Sequence, residues 1–225
     1  MSKSNQHGDV AAFFDLDLTL LSVNSAKMWV KYLWKRGEIG TWTAARSAGW
    51  LLRYKFALLD LSEISRKALA DLEGQNEEEM RLKVANWYEQ ELRDRFYQEA
   101  IDLIEDHRQK GHRLFLATGS SPYVSAPACK QLGLEDYVCT RLEVVDGNFT
   151  GRPMDPVCYG EGKLHWMKQL AQRHNVDLSQ SWFYTDSFTD LPGLRAVGHP
   201  VATNPDPRLR RLAKREDMTV RDFKR

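Results

Sequence analysis

The stretch FFDLDLTLL, residues 13–21, sets two aspartates into an apolar run of strand length. Asp15 and Asp17 are two residues apart, so an extended backbone points both side chains to the same side. A carboxylate in apolar surroundings is costly unless a metal ion or hydrogen bonds compensate it. Mg²⁺ prefers oxygen ligands and is commonly held by one or two carboxylates together with a phosphate oxygen. The pair therefore indicates a metal site, although aspartates are also common in turns that follow strands.

The composition is that of an ordinary globular protein and gives no sign of a polyanionic partner. Of 225 residues, 42% are hydrophobic, and 32 lysines and arginines nearly balance 31 aspartates and glutamates, for a net charge of +1. A chain of this kind is not of the disordered class, and it has no overall attraction to nucleic acid or to anionic membranes. We therefore expect no nucleic-acid partner.

The cysteines and the amino terminus favour a cytoplasmic protein. Cys129, Cys139 and Cys158 are odd in number and form no CxxC pair, which argues against a disulfide framework and against structural zinc. The start of the chain, MSKSNQHGDV, lacks the apolar segment of a signal peptide. No apolar run approaches the roughly 20 residues that a membrane-spanning helix needs.

Helices and strands alternate from Tyr97 onward. A predicted helix ends at Gly111 and is followed by the strand HRLFLATG, and Asp146-Gly147 lies between two short β-rich runs as a hairpin signal. This alternation is typical of parallel βα units, so we predict an α/β fold with a doubly wound, Rossmann-like parallel sheet. Ligands bind beyond the carboxyl ends of the strands in such sheets. Three strands end in polar clusters that are expected to meet there: FFDLDLT, LFLATGSS and WFYTDSFTD.

The segment between the first strand and Tyr97 has a different character. Residues 23–96 contain no proline, and their apolar positions recur at helical spacing. We therefore predict an all-helical subdomain, residues 23–96, inserted into an α/β core made of residues 1–22 and 97–225. The insert is rich in aromatic side chains, and five of the seven tryptophans of the chain lie in it: Trp29, Trp34, Trp42, Trp50 and Trp87.

Two further clusters suit the binding of a phosphate group. Thr118, Gly119 and Ser120 follow a strand and precede a helix, where small hydroxyl groups and free N–H donors favour anions. The same pattern is typical of an ordinary serine cap ahead of Pro122 at the first helical position. Lys163 opens a helix in GEGKL and can reach a phosphate oxygen as a flexible point cation, although surface lysines are common.

A second pair of carboxylates lies near the end of a later strand. Asp186 and Asp190 stand four residues apart in YTDSFTDLP. Two carboxylates at such a place suit metal coordination, and each of them also suits the N-cap of the helix that follows.

The four clusters together resemble a known family. DLDLT, LATGS, GEGK and TDSFTD are similar, in order and in spacing, to the four motifs of the haloacid dehalogenase-like phosphohydrolases, and the resemblance covers nearly the whole chain. The helical insert after the first motif and the hairpin LEVVDGNFTGR resemble the phosphoserine-phosphatase-like branch, subfamily IB, which carries a helical C1 cap.

The resemblance implies a Mg²⁺-dependent phosphomonoester hydrolase. It implies that Asp15 is the nucleophile that takes the phosphoryl group, and that Asp17 protonates the leaving oxygen and then activates water. Phosphoryl transfer needs positioning and charge neutralisation, which the other residues would supply. The implied metal ligands are Asp15, the Asp17 main-chain carbonyl, Asp186 and, directly or through water, Asp190; the implied phosphate ligands are Thr118, Gly119, Ser120 and Lys163.

The substrate expected from these residues is a small metabolite phosphate. A phosphoserine phosphatase would need an acidic residue a few positions after DLDLT, and that position is Asn24, which we take as a substrate contact without the acid's charge. It would also need an arginine in the insert, and Arg66 is offset from the expected place. Histidinol phosphate or a related amino-alcohol phosphate is therefore preferred over phosphoserine.

Two other functions stay open at this point. Residues 41–61 are apolar with Trp, Arg and Lys edges, a pattern that also occurs in helices lying on membranes, so a lysophospholipid-type phosphomonoester is an alternative substrate. A phosphate-responsive regulatory or binding protein is the other alternative, and Asp17 favours turnover over such a switch. The basic run at 208–215 is interpreted as a helix whose arginines face solvent. The sequence gives no prediction of oligomeric state.

Overall fold

A parallel sheet forms around the first strand. β1 (Ala11–Phe14) is buried along its whole length and pairs in parallel with β2 (Arg113–Ala117) and with β6 (Trp182–Thr185). A central strand of a parallel sheet is covered on both faces, which explains why this strand is continuously apolar. The sheet has six strands, in the spatial order β3 (Asp136–Val138), β2, β1, β6, β7 (His199–Thr203) and β8 (Thr219–Arg221).

The computed structural model describes residues 8–41, 45 and 69–224. Seven α-helices lie in this part of the chain, and they alternate with the strands of the sheet from the third helix onward. The helices are α1 (Ser25–Lys35), α2 (Glu77–Trp87), α3 (Gln98–Gln109), α4 (Pro122–Gln131), α5 (Glu161–Arg173), α6 (Leu191–Ala196) and α7 (Pro207–Arg215).

Side chains of β1 alternate between two hydrophobic layers. Ala12 and Phe14 lie in one layer, together with buried residues of α3 and α4. Ala11 and Phe13 lie in the other, together with buried residues of α5, α6 and α7. Successive side chains of a strand point to opposite faces, so helices cover both sides of the sheet. The predicted doubly wound, Rossmann-like α/β fold is confirmed.

The described part of residues 23–96 is helical. It contains α1, α2 and a π-helical turn at Tyr88–Leu92, and its aromatic side chains pack on one another. The ring centroids of Trp29 and Trp87 are 5.2 Å apart in an edge-on arrangement, and those of Trp29 and Tyr32 are 5.5 Å apart in a stacked one. These tryptophans therefore hold the helices together, as most buried aromatic clusters do.

Several expectations fall on residues outside the described ones. Residues 42–44 and 46–68 belong to this group, and with them most of the apolar segment 41–61. Trp42, Trp50 and Arg66 lie outside the described residues for the same reason. Within the described ranges, none of the helices has the length and apolar character needed to cross a bilayer.

The hairpin predicted at Asp146-Gly147 joins the insert to the core. β4 (Leu142–Val145) and β5 (Asn148–Pro153) pair antiparallel, and both turn residues have positive φ, 50° and 75°, as a two-residue hairpin turn requires. The main chain of the hairpin also bonds to the segment just before α2: Gly74 N–H donates to the Phe149 carbonyl at 2.9 Å.

The basic run 208–215 forms α7 and is confirmed as a helix with its basic side chains outward. Leu209, Leu212 and Ala213 are buried against the sheet, whereas Arg211 and Lys214 are exposed. The arginine-rich face is thus the solvated side of an amphipathic helix.

His107, on α3, is a buried histidine that packs against Tyr184 of β6. Nε2 of His107 is 2.7 Å from the Tyr184 hydroxyl oxygen, and its Nδ1 is 2.7 Å from Nδ1 of His112. Burial, with the charges of His112, Lys110 and Arg221, lowers the pKa of His107 to about 4. The imidazole is therefore neutral in the folded protein at pH values where an unfolded chain would protonate it.

This depressed pKa predicts a loss of stability in acid. Because the unfolded chain binds the His107 proton near pH 6.5 and the folded chain only near pH 4, the contribution to stability is present above pH 6.5 and is lost as the pH falls toward 4. Urea unfolding at pH 7.5 and pH 5 should show that His107→Gln reduces this loss by about 1 to 2 kcal/mol. His165→Gln, at an exposed position of α5, should leave it unchanged; an identical loss in all three proteins would contradict the assignment.

Candidate active site

The polar clusters that follow β1, β2 and β6 meet at one cavity at the carboxyl edge of the sheet. The cavity has a volume of about 570 Å³. This convergence is what a doubly wound sheet produces, because parallel strands end at the same edge. All nine residues singled out from the sequence line it: Asp15, Asp17, Asn24, Thr118, Gly119, Ser120, Lys163, Asp186 and Asp190.

Lys163 is buried at the floor of this cavity between two carboxylates. Its side chain is 3% exposed, and Nζ donates to Asp15 Oδ1 at 2.9 Å and to Asp190 Oδ2 at 2.6 Å. The Thr185 hydroxyl donates to the same oxygen of Asp190 at 2.6 Å. Burial by itself lowers the pKa of Lys163, but the charges of Asp15 and Asp190 outweigh burial and raise it. The lysine is therefore a permanent cation, and it takes up only one of the two oxygens of Asp15.

The acidic side chains around Lys163 outnumber it. Four carboxylates, Asp15, Asp17, Asp186 and Asp190, and one ammonium give a formal charge of −3 when all are ionised. Burial raises the pKa of Asp15 to about 7 against the opposing effect of Lys163. Burial and the charges of Asp15 and Asp190 raise the pKa of Asp186 well above its ordinary value. The cluster is thus short of positive charge.

Two features show that the residues fit a hard divalent cation. The donors are all oxygens, and the Asp186 carboxylate accepts no hydrogen bond from the described residues. Oδ1 of Asp190 is buried and has no hydrogen-bond partner there either, although such atoms are normally paired. Among the described residues, no three or more His, Cys, Asp or Glu side chains are arranged so that they alone could hold a metal ion. A cation would therefore complete its shell with main-chain, water or substrate oxygens, as Mg²⁺ usually does.

Asp17 is held by the first turn of α1. Its Oδ1 accepts from the Ser25 N–H at 2.9 Å, and its Oδ2 accepts from the Ser25 hydroxyl at 3.0 Å and from Nδ2 of Asn24 at 3.3 Å. Burial raises the pKa of Asp17 to about 6, and the bonds from Ser25 oppose that rise. Asn24 also caps α1, because its Oδ1 accepts from the Lys27 N–H at 2.9 Å.

The loop after β2 brings its main chain against a tyrosine ring. Thr118 is buried, and its hydroxyl oxygen accepts from the Ser120 N–H at 3.2 Å. A Cβ built on Gly119 would lie 2.3 Å from Cε1 of Tyr159, so only glycine fits beneath this ring. Ser120 Oγ is 3.3 Å from Ser25 Oγ, which links the loop to α1.

Three residues of this site were missed from the sequence. Ser25 orients Asp17, Thr185 fixes Asp190, and Tyr159 covers Gly119. Ser25 had a local signal, because it follows Asn24 at the start of an apolar helical pattern and belongs to an N-terminal turn. Thr185 and Tyr159 contact their partners only in the folded chain.

The Gly119 contact predicts a sharp loss of activity on adding one methyl group. Gly119→Ala must displace either the Tyr159 ring or the loop that carries Thr118, so hydrolysis of an aryl phosphate, the reaction that the resemblance implies, should fall by about tenfold or more. Gly40→Ala is the matched control, since a Cβ at that position meets no atom of the described residues within 4 Å. Equal rates in the two variants would contradict the close packing at Gly119.

Comparisons with known proteins identify the family of this chain. The family model of the haloacid dehalogenase-like hydrolases matches residues 12–195. A protein named phosphoserine phosphatase from Mycobacterium tuberculosis is 35% identical over 221 residues, which cover 95% of this chain and 71% of the relative. A histidinol-phosphatase from Neisseria meningitidis is 30% identical over 218 residues, covering 95% of this chain and 98% of the relative.

Solved structures show the same fold. A Bordetella pertussis protein of unknown function has a TM-score of 0.85 at 29% identity, with 96% of this chain and 99% of that chain covered. A phosphoserine phosphatase that carries an analogue of the phospho-aspartyl intermediate has a TM-score of 0.71 at 18% identity, with 98% and 95% covered. From the family model, the long alignments and the shared fold, it follows that this chain belongs to the haloacid dehalogenase-like hydrolases and is a phosphatase of that family.

Proposed function

We propose that this phosphatase hydrolyses small-metabolite phosphomonoesters with the help of Mg²⁺, through a phosphoryl group carried on Asp15. The observation that supports this most directly is the buried contact of Lys163 with one oxygen of Asp15. That contact holds the carboxylate in place and leaves its Oδ2 without a hydrogen bond from the described residues. A fixed carboxylate with one open oxygen is suited to attack a phosphorus atom.

The two aspartates of DLDLT divide the reaction between them. Asp15 Oδ2 would attack phosphorus while the bond from phosphorus to the ester oxygen breaks, and Asp17 would give its proton to the departing alcohol. Asp17 would then take a proton from a water molecule that attacks the aspartyl phosphate, which releases inorganic phosphate and restores Asp15. A pKa of about 6 suits Asp17 to both directions of transfer near neutral pH.

The remaining residues of the cavity would bind the phosphoryl oxygens and the metal ion. Lys163, the Thr118 hydroxyl and the Gly119 N–H would neutralise or hydrogen-bond the phosphoryl oxygens, with Ser120 beside them. Mg²⁺ would be held by the Asp15 side chain, the Asp17 main-chain carbonyl and Asp186, with Asp190 contributing through water or its unpaired Oδ1. The bound ion would supply positive charge to a cluster that lacks it.

The helical insert, residues 23–96, is proposed to act as a cap over this site. Its first helix supplies the groups that hold Asp17, and Ser25 also touches Ser120 of the core. A lid of this kind can exclude water and select the leaving group.

Part of the cap side of the cavity is an apolar wall, which bears on the substrate. Side chains from α1 and α2 form this wall: Trp29, Val30, Leu33, Met80, Val84 and Trp87. Polar and charged residues of the insert line the cavity beside it: Lys27, Glu38, Asp71, Gln75 and Lys83. An apolar wall suits a leaving group with a ring or a hydrocarbon part. We therefore propose histidinol phosphate or a related amino-alcohol phosphate as the substrate, in agreement with the name of the Neisseria relative.

Phosphoserine is less favoured in spite of the name of the Mycobacterium relative. Asn24 is not acidic, and its side chain is already engaged by the Lys27 N–H and by Asp17. It would therefore contact the substrate weakly through its amide and would not hold an ammonium group as a carboxylate does. The apolar wall also fits an alkyl chain, so a lysophospholipid-type phosphate is the second candidate.

A panel of phosphomonoesters tests the proposal. Histidinol phosphate, phosphoserine, a short-chain lysophosphatidate and p-nitrophenyl phosphate are assayed with Mg²⁺ and with EDTA, and Asp15→Asn serves as the blank. We expect Mg²⁺-dependent phosphate release with the highest kcat/KM for histidinol phosphate, whereas preference for phosphoserine would count against the substrate proposed from the apolar wall. Preference for the lysophosphatidate would favour the second candidate, and no release from any ester would overturn the proposal.

The charge of the cluster predicts an effect of Mg²⁺ on stability. Asp15→Asn removes one of the like charges around Asp186, so the metal-free variant should melt a few degrees above the metal-free parent. Added Mg²⁺ should raise the Tm of the parent more than that of the variant, because the variant has lost a ligand. Thermal melts with and without Mg²⁺ measure both effects, and equal Mg²⁺ shifts would count against Asp15 as a ligand.

The apolar wall predicts a selective effect of a polar substitution. Leu33→Gln should lower kcat/KM for a ring-bearing ester by roughly three- to tenfold and leave glycerol phosphate nearly unchanged, because only the larger leaving group reaches the wall. Leu82→Gln, on α2 but 51% exposed, is the matched control. A uniform loss with both esters would show that the wall does not select the leaving group.

A further inference from the structure

The turn Asn204-Pro205-Asp206, between β7 and α7, touches both acidic loops of the site. We propose that Asn204 and Asp206 are positioning residues that hold the main chain at Asp17 and at Asp186. The inference deepens the proposed function and rests on it, since it concerns the placement of the same carboxylates.

Asp206 makes two hydrogen bonds to the loop that carries Asp186. Its N–H donates to the Asp186 carbonyl at 2.8 Å, and its Oδ2 accepts from the Phe188 N–H at 2.8 Å. Its other oxygen caps α7 and accepts from the N–H groups of Arg208 at 2.7 Å and Leu209 at 2.9 Å. One carboxylate therefore ties the loop that follows β6 to the start of α7.

Asn204 holds the other acidic loop. Its Nδ2 donates to the carbonyl of Leu18 at 3.0 Å. Leu18 follows Asp17 directly and has φ of 61°, a left-handed conformation that costs a leucine on the order of 1 kcal/mol. Oδ1 of Asn204 accepts from the Phe223 N–H at 2.7 Å, and its own N–H donates to the Arg221 carbonyl at 2.8 Å. The turn is thus hydrogen-bonded to β8, and the side-chain amide of Asn204 holds Leu18 in its left-handed conformation.

The two loops need such restraint because of their charges. The Asp186 carboxylate lies near Asp15 and Asp190 and has no ion pair with any described lysine or arginine. Repulsion between like charges pushes it away from the cluster unless the backbone is held. Thr19 contributes a third restraint, since its hydroxyl oxygen accepts from the Asp186 N–H at 3.0 Å. With both main-chain groups of Asp186 engaged, only its side chain is left to face the cavity.

The test uses substitutions that separate positioning from helix capping. Asp206→Ser and Asp206→Asn keep an oxygen acceptor for the first turn of α7 and lose the bond from the Phe188 N–H. Asn204→Asp keeps the acceptor for Phe223 and replaces the donor to Leu18 by a carboxylate oxygen. Asp177→Ala is the matched control, because it removes a similar cap, accepting from the Ser179 N–H at 2.9 Å, from a short helix elsewhere in the core.

Two measurements are made on each folded protein. With p-nitrophenyl phosphate, kcat should fall roughly 10- to 100-fold in the three variants with a much smaller change of KM, since misplacement affects the transition state more than ground-state binding. Mg²⁺ titrated calorimetrically without substrate should bind about tenfold more weakly to the Asp206 variants. The control should lose stability and keep both its kcat and its Mg²⁺ affinity.

The outcomes separate this proposal from the proposed function. A parent that hydrolyses no ester counts against the proposed function, and the Mg²⁺ titrations then decide the role of the turn by themselves. Variants that fold, melt no lower than the control, and keep the parent's kcat and Mg²⁺ affinity would overturn the positioning role. If Asp206→Ser does not fold, Asp206→Asn and Asn204→Asp carry the same test.

Discussion

The pairing of Lys163 with Asp15 and Asp190 is the interaction on which the rest of the site depends. It brings together Asp15 just after β1, Lys163 on α5 and Asp190 after β6, and it is buried, so removing Lys163 would leave two carboxylates uncompensated in an apolar setting. The residue before Lys163 is Gly162, and the lack of a side chain there allows this contact. A Cβ on Gly162 would lie 2.0 Å from the Val157 carbonyl oxygen, so glycine is needed for the first turn of α5 to pack against the loop that precedes it.

The contact of a single lysine with these carboxylates also explains why the site favours added positive charge. One lysine cannot balance four carboxylates, and three of them, Asp15, Asp17 and Asp186, have pKa values raised by burial. A chain that used these acids only for stability would replace some of them with apolar residues. On the proposed function, the excess charge is tolerated because the cavity would receive a cation and a phosphate group together, a role that carries a cost in stability.

The order of helices and strands along the chain and most residues of the site could be predicted from the sequence, because both depend on local patterns. The apolar run at β1, the Asp146-Gly147 turn and the polar strand ends each carry their signal in a few adjacent residues. The contacts of Ser25, Thr185 and Asn204 could not be predicted, since their partners are distant in sequence and are brought near only by the tertiary fold. Asp206 had a visible signal as a cap ahead of Pro207, but its bond to Phe188 had none.

The hydrogen bonds to Asp17 have a consequence for how such proteins can change. All three that the structure shows come from Asn24 and Ser25, the first residues of α1. The core therefore carries the aspartate but not the groups that orient it. Exchanging the insert for one of another shape, even on an intact sheet, would remove those groups along with the old specificity. If Asp17 transfers the proton as proposed, the insert and the core share that step, because one carries the carboxylate and the other carries the groups that orient it.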